Sequence, residues 1–484
     1  MSDDLSLLDA TAQATLVRDG DATAVELVEA AIARIEALNP TLNAVVTPIF
    51  ERGLAAARSG PTGLFAGVPY LLKDLACEME GVRFTEGSRF LADNVSRFDQ
   101  ELVVRLRRAG LVILGKTNTP EFGMAPACEP LLFGPTRNPW DTDRSTSGSS
   151  GGAAAAVASG MVPFAHGNDL GGSLRYPASA CGLFGLKPTR ARNPLGPEYG
   201  DVAGGGAVEH ALTRSVRDSA ALLDATSGPD VGDPYWAPPP ARSFADEVGG
   251  DPGRLRIGFT AQTPEGDRGH PDCVAAVEHA ARLCETLGHD VFETEWPGLT
   301  PDVGAAIGTF FQGATAWILR YWIRHAGREP GPDEIEPLTR ALWQGGELIT
   351  AADWLLAIEE TQRFSRRIAT AFQSFDLFLT PTMSTPPLPI GVMLSTAEEP
   401  LKSLEISGAS IRYAGVVANL TGNPAMSVPL WWNDDGLPIG AHFLGPFGDE
   451  ATLFRLAAQL EAAQPWAHRL PSVHASNLDA STRK

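Results

Sequence analysis

Cysteine is scarce in this chain and scattered. Cys77, Cys128, Cys181, Cys273 and Cys284 are five among 484 residues, an odd set with no C-x-x-C pair. That excludes a disulfide framework and a cysteine-based zinc site. Reduced thiols and a cytoplasmic location are the expectation. Basic charge is also short. Lys and Arg number 38 against 58 Asp and Glu, a net charge of −20. So acidic a surface repels a phosphate backbone, and no nucleic acid is expected as a partner. No apolar run is long enough to span a bilayer. The start, M-S-D-D-L-S-L-L-D, lacks the basic region and apolar core of a secretory signal. No membrane partner is expected. The histidines show no metal-ligand spacing, and there is no G-x-S-x-G nucleophile elbow. Neither a metal nor a cofactor is called for.

What is present suits a large core. Hydrophobic residues make up 44% of the chain and charged residues 20%, which argues against disorder. Thr23 and Glu26 have capping-box spacing. Leu27, Val28, Ala31, Ile32, Ile35 and Leu38 then recur at helical period, which predicts a helix stopped by Asn39-Pro40. Strands are predicted around residues 67–72, 111–114 and 375–380, and in V-P-F-A-H-G. Helices are predicted at 101–109, 153–158 and 272–287. A D-G turn joins two further strands near the C-terminus. Alternating helices and short apolar strands indicate an α/β fold. Residues 228–253, rich in Pro, Gly and Asp, read as a surface excursion, because strand signals resume at once with R-L-R-I-G-F.

The chemistry is concentrated in residues 148–175. G-S-S-G-G leads into an alanine-rich run, and H-G-N-D-L-G-G-S-L-R follows. A serine at a turn that opens a helix sits in positive potential from free backbone N–H groups. Ser149 and Ser150 both qualify on spacing. Ser173 follows two glycines. Without Cβ atoms in the way, Leu170, Gly171, Gly172 and Ser173 can aim consecutive N–H groups at one point, as an oxyanion hole requires. Lys73 lies upstream in the apolar run G-V-P-Y-L-L-K-D-L. Burial there would favour its neutral amine, a usable base near neutral pH. Two serines and a lysine suffice for a proton relay that activates a hydroxyl without histidine. Asp169 and Arg175 flank the second turn and read as an ion pair that holds it. His166 lies too close to Asp169 in sequence for a Ser-His-Asp array and reads as structural.

One motif competes. Gly110 to Thr117 satisfies G-x-x-x-x-G-K-[ST], the pattern of a phosphate-binding loop. Its intervening residues are Leu, Val, Ile and Leu, which form a strand rather than a cradle. A nucleotide-binding protein is thus a weak alternative reading.

Taken together the motifs carry a resemblance. G-V-P-Y-L-L-K-D, L-G-K-T-N-T-P-E-F, T-R-N-P-W, G-S-S-G-G-A-A-A-A-V-A-S-G, N-D-L-G-G-S-L-R-Y-P-A, C-G-L-F-G-L-K-P-T-R, N-L-T-G-N-P-A and D-G-L-P-I-G occur in this order. The chain resembles the amidase signature family over most of its length, and is similar to the cyclic-dimer hydrolase branch. The resemblance implies an α/β fold in one domain spanning 1–484, with a single large mixed twisted β-sheet covered by helices on both faces. The catalytic core would lie at about residues 60–230. It implies a triad of Lys73, a cis-peptide serine at Ser149 and the nucleophile Ser173. The family's spacing of 24 residues between the serines selects Ser149 over Ser150. Met124 falls where the family lines an acyl pocket, and the aromatic segment 310–322 is a candidate cover. The implied reaction is cofactor-free hydrolysis of a small, fairly apolar amide or lactam. The implied partner is that small molecule, and a homodimer stays open. Departures are Gly167-Asn168-Asp169-Leu170 where G-T-D-T or G-T-D-I is common, Ser147-Gly148 for Gly-Gly, and Ala153. They bear on substrate class. Alternatives are a glutamine-hydrolysing amidotransferase A-type subunit, which typically has Gln where this chain has Tyr176, and a non-catalytic binding protein.

Overall fold

The computed structural model describes residues 5–263, 266–296, 299–411 and 415–478. Eleven strands form one mixed sheet. In chain order they are β1 (Val45–Pro48), β2 (Pro69–Lys73), β3 (Val112–Thr117), β4 (Phe164–Asp169), β5 (Phe184–Lys187), β6 (Val208–Thr213), β7 (Arg256–Phe259), β8 (Asp290–Glu293), β9 (Leu377–Pro381), β10 (Ala425–Trp432) and β11 (Pro438–Leu444). Their spatial order is β1-β3-β2-β4-β6-β5-β10-β11-β9-β7-β8. Neighbours run parallel across β3-β2-β4 and across β9-β7-β8, and antiparallel between.

Alternation along the strands explains the helices on both faces. On β2, Leu71 packs with the helices Ala24–Leu42 and Gly151–Ala158, whereas Tyr70 and Leu72 pack with Glu101–Arg108 and Val216–Thr226 on the other face. A second core under β7, β9, β10 and β11 is closed by Pro271–Thr286 and Glu450–Ala463. The central strands are buried along their whole length, so they read as continuous apolar runs rather than as alternating ones.

The expected first helix forms with its capping box intact. It does not stop at Asn39-Pro40. It runs through Pro40 to Leu42, because a proline in the last turn removes one intrahelical bond only. Termination falls to Asn43 in the left-handed region, whose N–H donates to the Asn39 carbonyl at 2.8 Å, and to the Asn39 side chain, which accepts from the N–H groups of Ala44 and Val45. Residues 228–253 carry one short helical turn, Ala245–Glu247, and are mostly exposed. The late pair of strands is β10 and β11, with Gly436 at φ 77° in its turn.

Candidate active site

Lys73 ends β2 in the interior of the sheet, flanked by β3 and β4. By alternation it shares the face of Leu71, where the helix Gly151–Ala158 packs. The side chain is wholly enclosed. Burial disfavours the ammonium and lowers its pKa from 10.5 to about 7, against the opposing pull of Glu209 and other nearby acids. Its Nζ lies 2.6 Å from Ser149 Oγ and donates to Asn168 Oδ1, also at 2.6 Å. Asn168 cannot turn its amide round. Its Nδ2 donates to the Leu75 carbonyl at 3.0 Å, which leaves Oδ1 for the lysine.

Ser149 follows a cis peptide from Gly148 and precedes the helix Gly151–Ala158. That helix sits close against the end of β3. A Cβ at Gly152 would lie 2.4 Å from the Asn118 backbone nitrogen, so glycine is required for the approach. Ser150 is used differently. Its N–H donates to the Ser173 carbonyl at 3.3 Å and its hydroxyl to the Asn168 carbonyl at 3.2 Å. It ties the two serine loops together, while Ser149 alone meets the lysine.

Ser173 lies in the turn between β4 and the helix Arg175–Cys181. Asp169, the last residue of β4, organises this turn. Its carboxylate accepts from the N–H groups of Gly172 (2.7 Å) and Leu174 (3.1 Å) and from Arg175 Nε (3.0 Å) and Nη2 (2.9 Å). Both members of this ion pair are fully buried. Burial alone would raise the Asp169 pKa, but the Arg175 guanidinium outweighs it and holds the carboxyl far below the usual range. Asn419 donates to the Asp169 carbonyl and side chain, and Arg175 donates to Asn419 Oδ1 at 2.8 Å. The expected oxyanion set of Leu170, Gly171, Gly172 and Ser173 is narrowed by this geometry. The Gly172 N–H is already committed to Asp169. Those of Leu170, Gly171 and Ser173 have no acceptor among the described residues.

His166 is a bracket between strands. Its Nδ1 accepts from the Lys73 N–H at 3.1 Å, and its Nε2 lies 2.5 Å from Glu209 Oε2. Burial lowers its pKa. Asp169 is engaged with Arg175 instead. The phosphate-loop pattern folds as strand: β3 occupies Val112–Thr117 and is buried throughout. The Lys116 ammonium is held by the carbonyls of Lys73 and Cys77 and lies over the Phe84 ring.

Both serines line a cavity with two lobes that meet at Ser173. The narrow lobe, about 80 Å³, is walled by Leu75, Phe122, Met124 and Ile318 and reaches Ser149 and Ser173. The wider lobe, about 390 Å³, is bounded by Gly148, Tyr176, Ile307, Phe311 and Leu404 as well as Ser173. Met124 faces both lobes. The helix Pro301–Ala326 lies over the site and contributes Trp317 to one lobe and Phe311 to the other. Sequence reasoning missed Asn168 as a partner of Lys73, although it had marked that position as a departure. It also missed Glu86, Glu209 and Asn419, which come from remote segments and carry no local signal. Among the described residues no helix is long and apolar enough to cross a membrane, and no group of three or more His, Cys, Asp or Glu is placed to hold a metal ion.

The chain is similar to known proteins over nearly its whole length. Residues 26–454 match the sequence model of the amidase family. The chain is 40% identical over 479 residues to a 6-aminohexanoate-cyclic-dimer hydrolase of Paenarthrobacter ureafaciens, covering 96% of each. It is 39% identical over 481 residues to the putative amidase AmiB2 of Mycobacterium tuberculosis, covering 97% of this chain and 99% of that one. A solved structure of 6-aminohexanoate cyclic dimer hydrolase superimposes with a TM-score of 0.91 at 38% identity, covering 97% of this chain and 99% of that one. The chain belongs to the amidase signature family, enzymes that hydrolyse carbon–nitrogen bonds other than peptide bonds.

Proposed function

We propose that the chain hydrolyses a small, fairly apolar amide or lactam through an acyl-enzyme on Ser173. The observation that carries this reading is the enclosed Lys73 amine 2.6 Å from Ser149 Oγ, at a cavity that Ser149 shares with Ser173. Neutral Lys73 takes the Ser149 hydroxyl proton as Ser149 takes the Ser173 proton. Ser173 Oγ bonds to the amide carbon, and the N–H groups of Leu170, Gly171 and Ser173 receive the developing oxyanion. Ser149 then gives a proton to the departing nitrogen and regains one from the Lys73 ammonium, so the C–N bond breaks with a neutral amine as leaving group. Water, deprotonated through the same chain, attacks the ester, and its proton returns to Ser173 as the acid is freed. The apolar walls of both lobes support an apolar substrate.

The test is turnover of a panel of amides, lactams and anilides by the purified chain and by S173A. Measurable hydrolysis, reduced at least about a thousandfold in the variant, is expected. Near-normal hydrolysis by S173A would end this assignment.

A further inference from the structure

The narrow lobe has an uneven chemistry. Its walls are mostly apolar, and among the described residues no Lys, Arg or His side chain lines it. Among them stand three carboxyls, of Asp169, Glu86 and Glu209. Asp169 is neutralised by Arg175. Among the described residues neither of the other two is paired with Lys or Arg; Glu209 meets His166, and both carboxyls pull on the buried Lys73. Glu86 is 98% buried. Its carboxyl accepts from Trp322 Nε1 at 3.0 Å and from the Ala76 backbone N–H. A carboxylate has about four acceptor positions, so about half of the capacity of Glu86 is unused. Glu209 is as deeply enclosed. Its Oε2 faces His166, while its Oε1 has only a long 3.5 Å contact from Asn168.

Two buried carboxyls on the wall of a water-poor cavity repel an anion and attract a cation. Left empty, the site drives Glu86 toward its protonated form, since burial pushes its pKa up to about 8. A bound ammonium would reverse this and fill acceptor positions that Trp322 and Ala76 leave open on Glu86. We propose that the narrow lobe selects amides that carry an ammonium group, held by Glu86 and Glu209 beside the Ser149–Ser173 pair. The substrate would then be an aminoalkyl amide, with an apolar chain against Leu75, Phe122, Met124 and Ile318. This rests on the amide hydrolysis proposed above and names the substrate class of that same site.

The test uses pairs of amides of equal length, one ending in a primary amine and its match ending in methyl. One pair carries the group on the acyl side and another on the amine side. In at least one pair the amine form is expected to have a kcat/KM about tenfold or more above its match, the effect of a charge-assisted hydrogen bond. E86Q is expected to pull that ratio toward one. If the methyl forms are turned over as well or better in both pairs, or if E86Q leaves the ratio intact, the assignment falls. The wild-type ratio stands as a test even if E86Q does not fold. Labelling of Ser173 by a fluorophosphonate in the same preparation separates the two claims. Labelled enzyme without the amine preference overturns this inference alone, whereas unlabelled Ser173 overturns the acyl-enzyme reading.

Discussion

Replacing Asn168 by aspartate puts a carboxylate where an amide oxygen now lies 2.6 Å from Lys73 Nζ. The side chains have nearly the same shape, so the perturbation is mainly electrostatic. Opposite unit charges at that distance attract by about 6 kcal/mol at an effective dielectric of 20. Burying the new carboxylate takes back much of this, and a rise of about one to two units in the Lys73 pKa remains. Only the neutral amine can accept the Ser149 proton, so activity rises with pH through the pKa of Lys73. The wild-type acid limb should be centred near the lysine value of about 7. In N168D it should move to roughly pH 8–9, so kcat/KM at pH 7 falls about five- to fiftyfold and recovers toward pH 9.5. The assay is kcat/KM from pH 5.5 to 9.5 with an amide that does not ionise in that range. Asn168→Ala is the control. It loses the same donation to the Leu75 carbonyl without adding charge, and its limb should stay at or below that of wild type. A limb that N168D leaves in place, or moves to lower pH, would refute the assignment of Lys73 as the base.

Two further substitutions test the turn that presents Ser173. Gly172 has φ 123°, and a Cβ there would lie 2.1 Å from the Tyr176 ring. Gly172→Ala should displace the neighbouring N–H groups and lower kcat about a hundredfold or more, with little change in KM. Arg175→Met leaves Asp169 as an unpaired buried charge and should cost about 3–5 kcal/mol, read as a fall in the thermal midpoint. Because the Asp169 pKa is depressed in the folded chain, the stability that this pair contributes is present above the ordinary carboxylate pKa. It is lost only as pH falls through the depressed value, so the gap between wild type and variant should persist across neutral pH.

The local grammar of the chain was legible before its folding. The Thr23–Glu26 box marked a helix start, and Val112 to Leu114 revealed a strand inside a phosphate-loop pattern. Glycine-serine turns pointed to Ser149 and Ser173 because each needs a backbone that few sequences permit, and the apolar run around Lys73 pointed to a buried amine. Ser149 and Ser150 could not be separated on the residues alone, since that choice depends on which hydroxyl reaches Lys73 across the sheet. The strand order was equally out of reach. It places β6 beside β4 and so sets Glu209 opposite Asn168, a pairing across 41 residues that no periodicity encodes. The commitment of the Gly172 N–H to Asp169 escaped notice for a related reason. The ion pair was expected, but the carboxylate has more acceptor positions than one guanidinium fills, and it spends the surplus on the turn.

The central claim is that Ser173 is the nucleophile, and a fluorophosphonate tests it directly. Intact mass followed by peptide mapping should find one adduct, on Ser173, with hydrolysis lost in proportion to its occupancy and no adduct formed in S173A. Full loss of activity with Ser173 unmodified, or full modification of Ser173 with activity retained, would contradict the account.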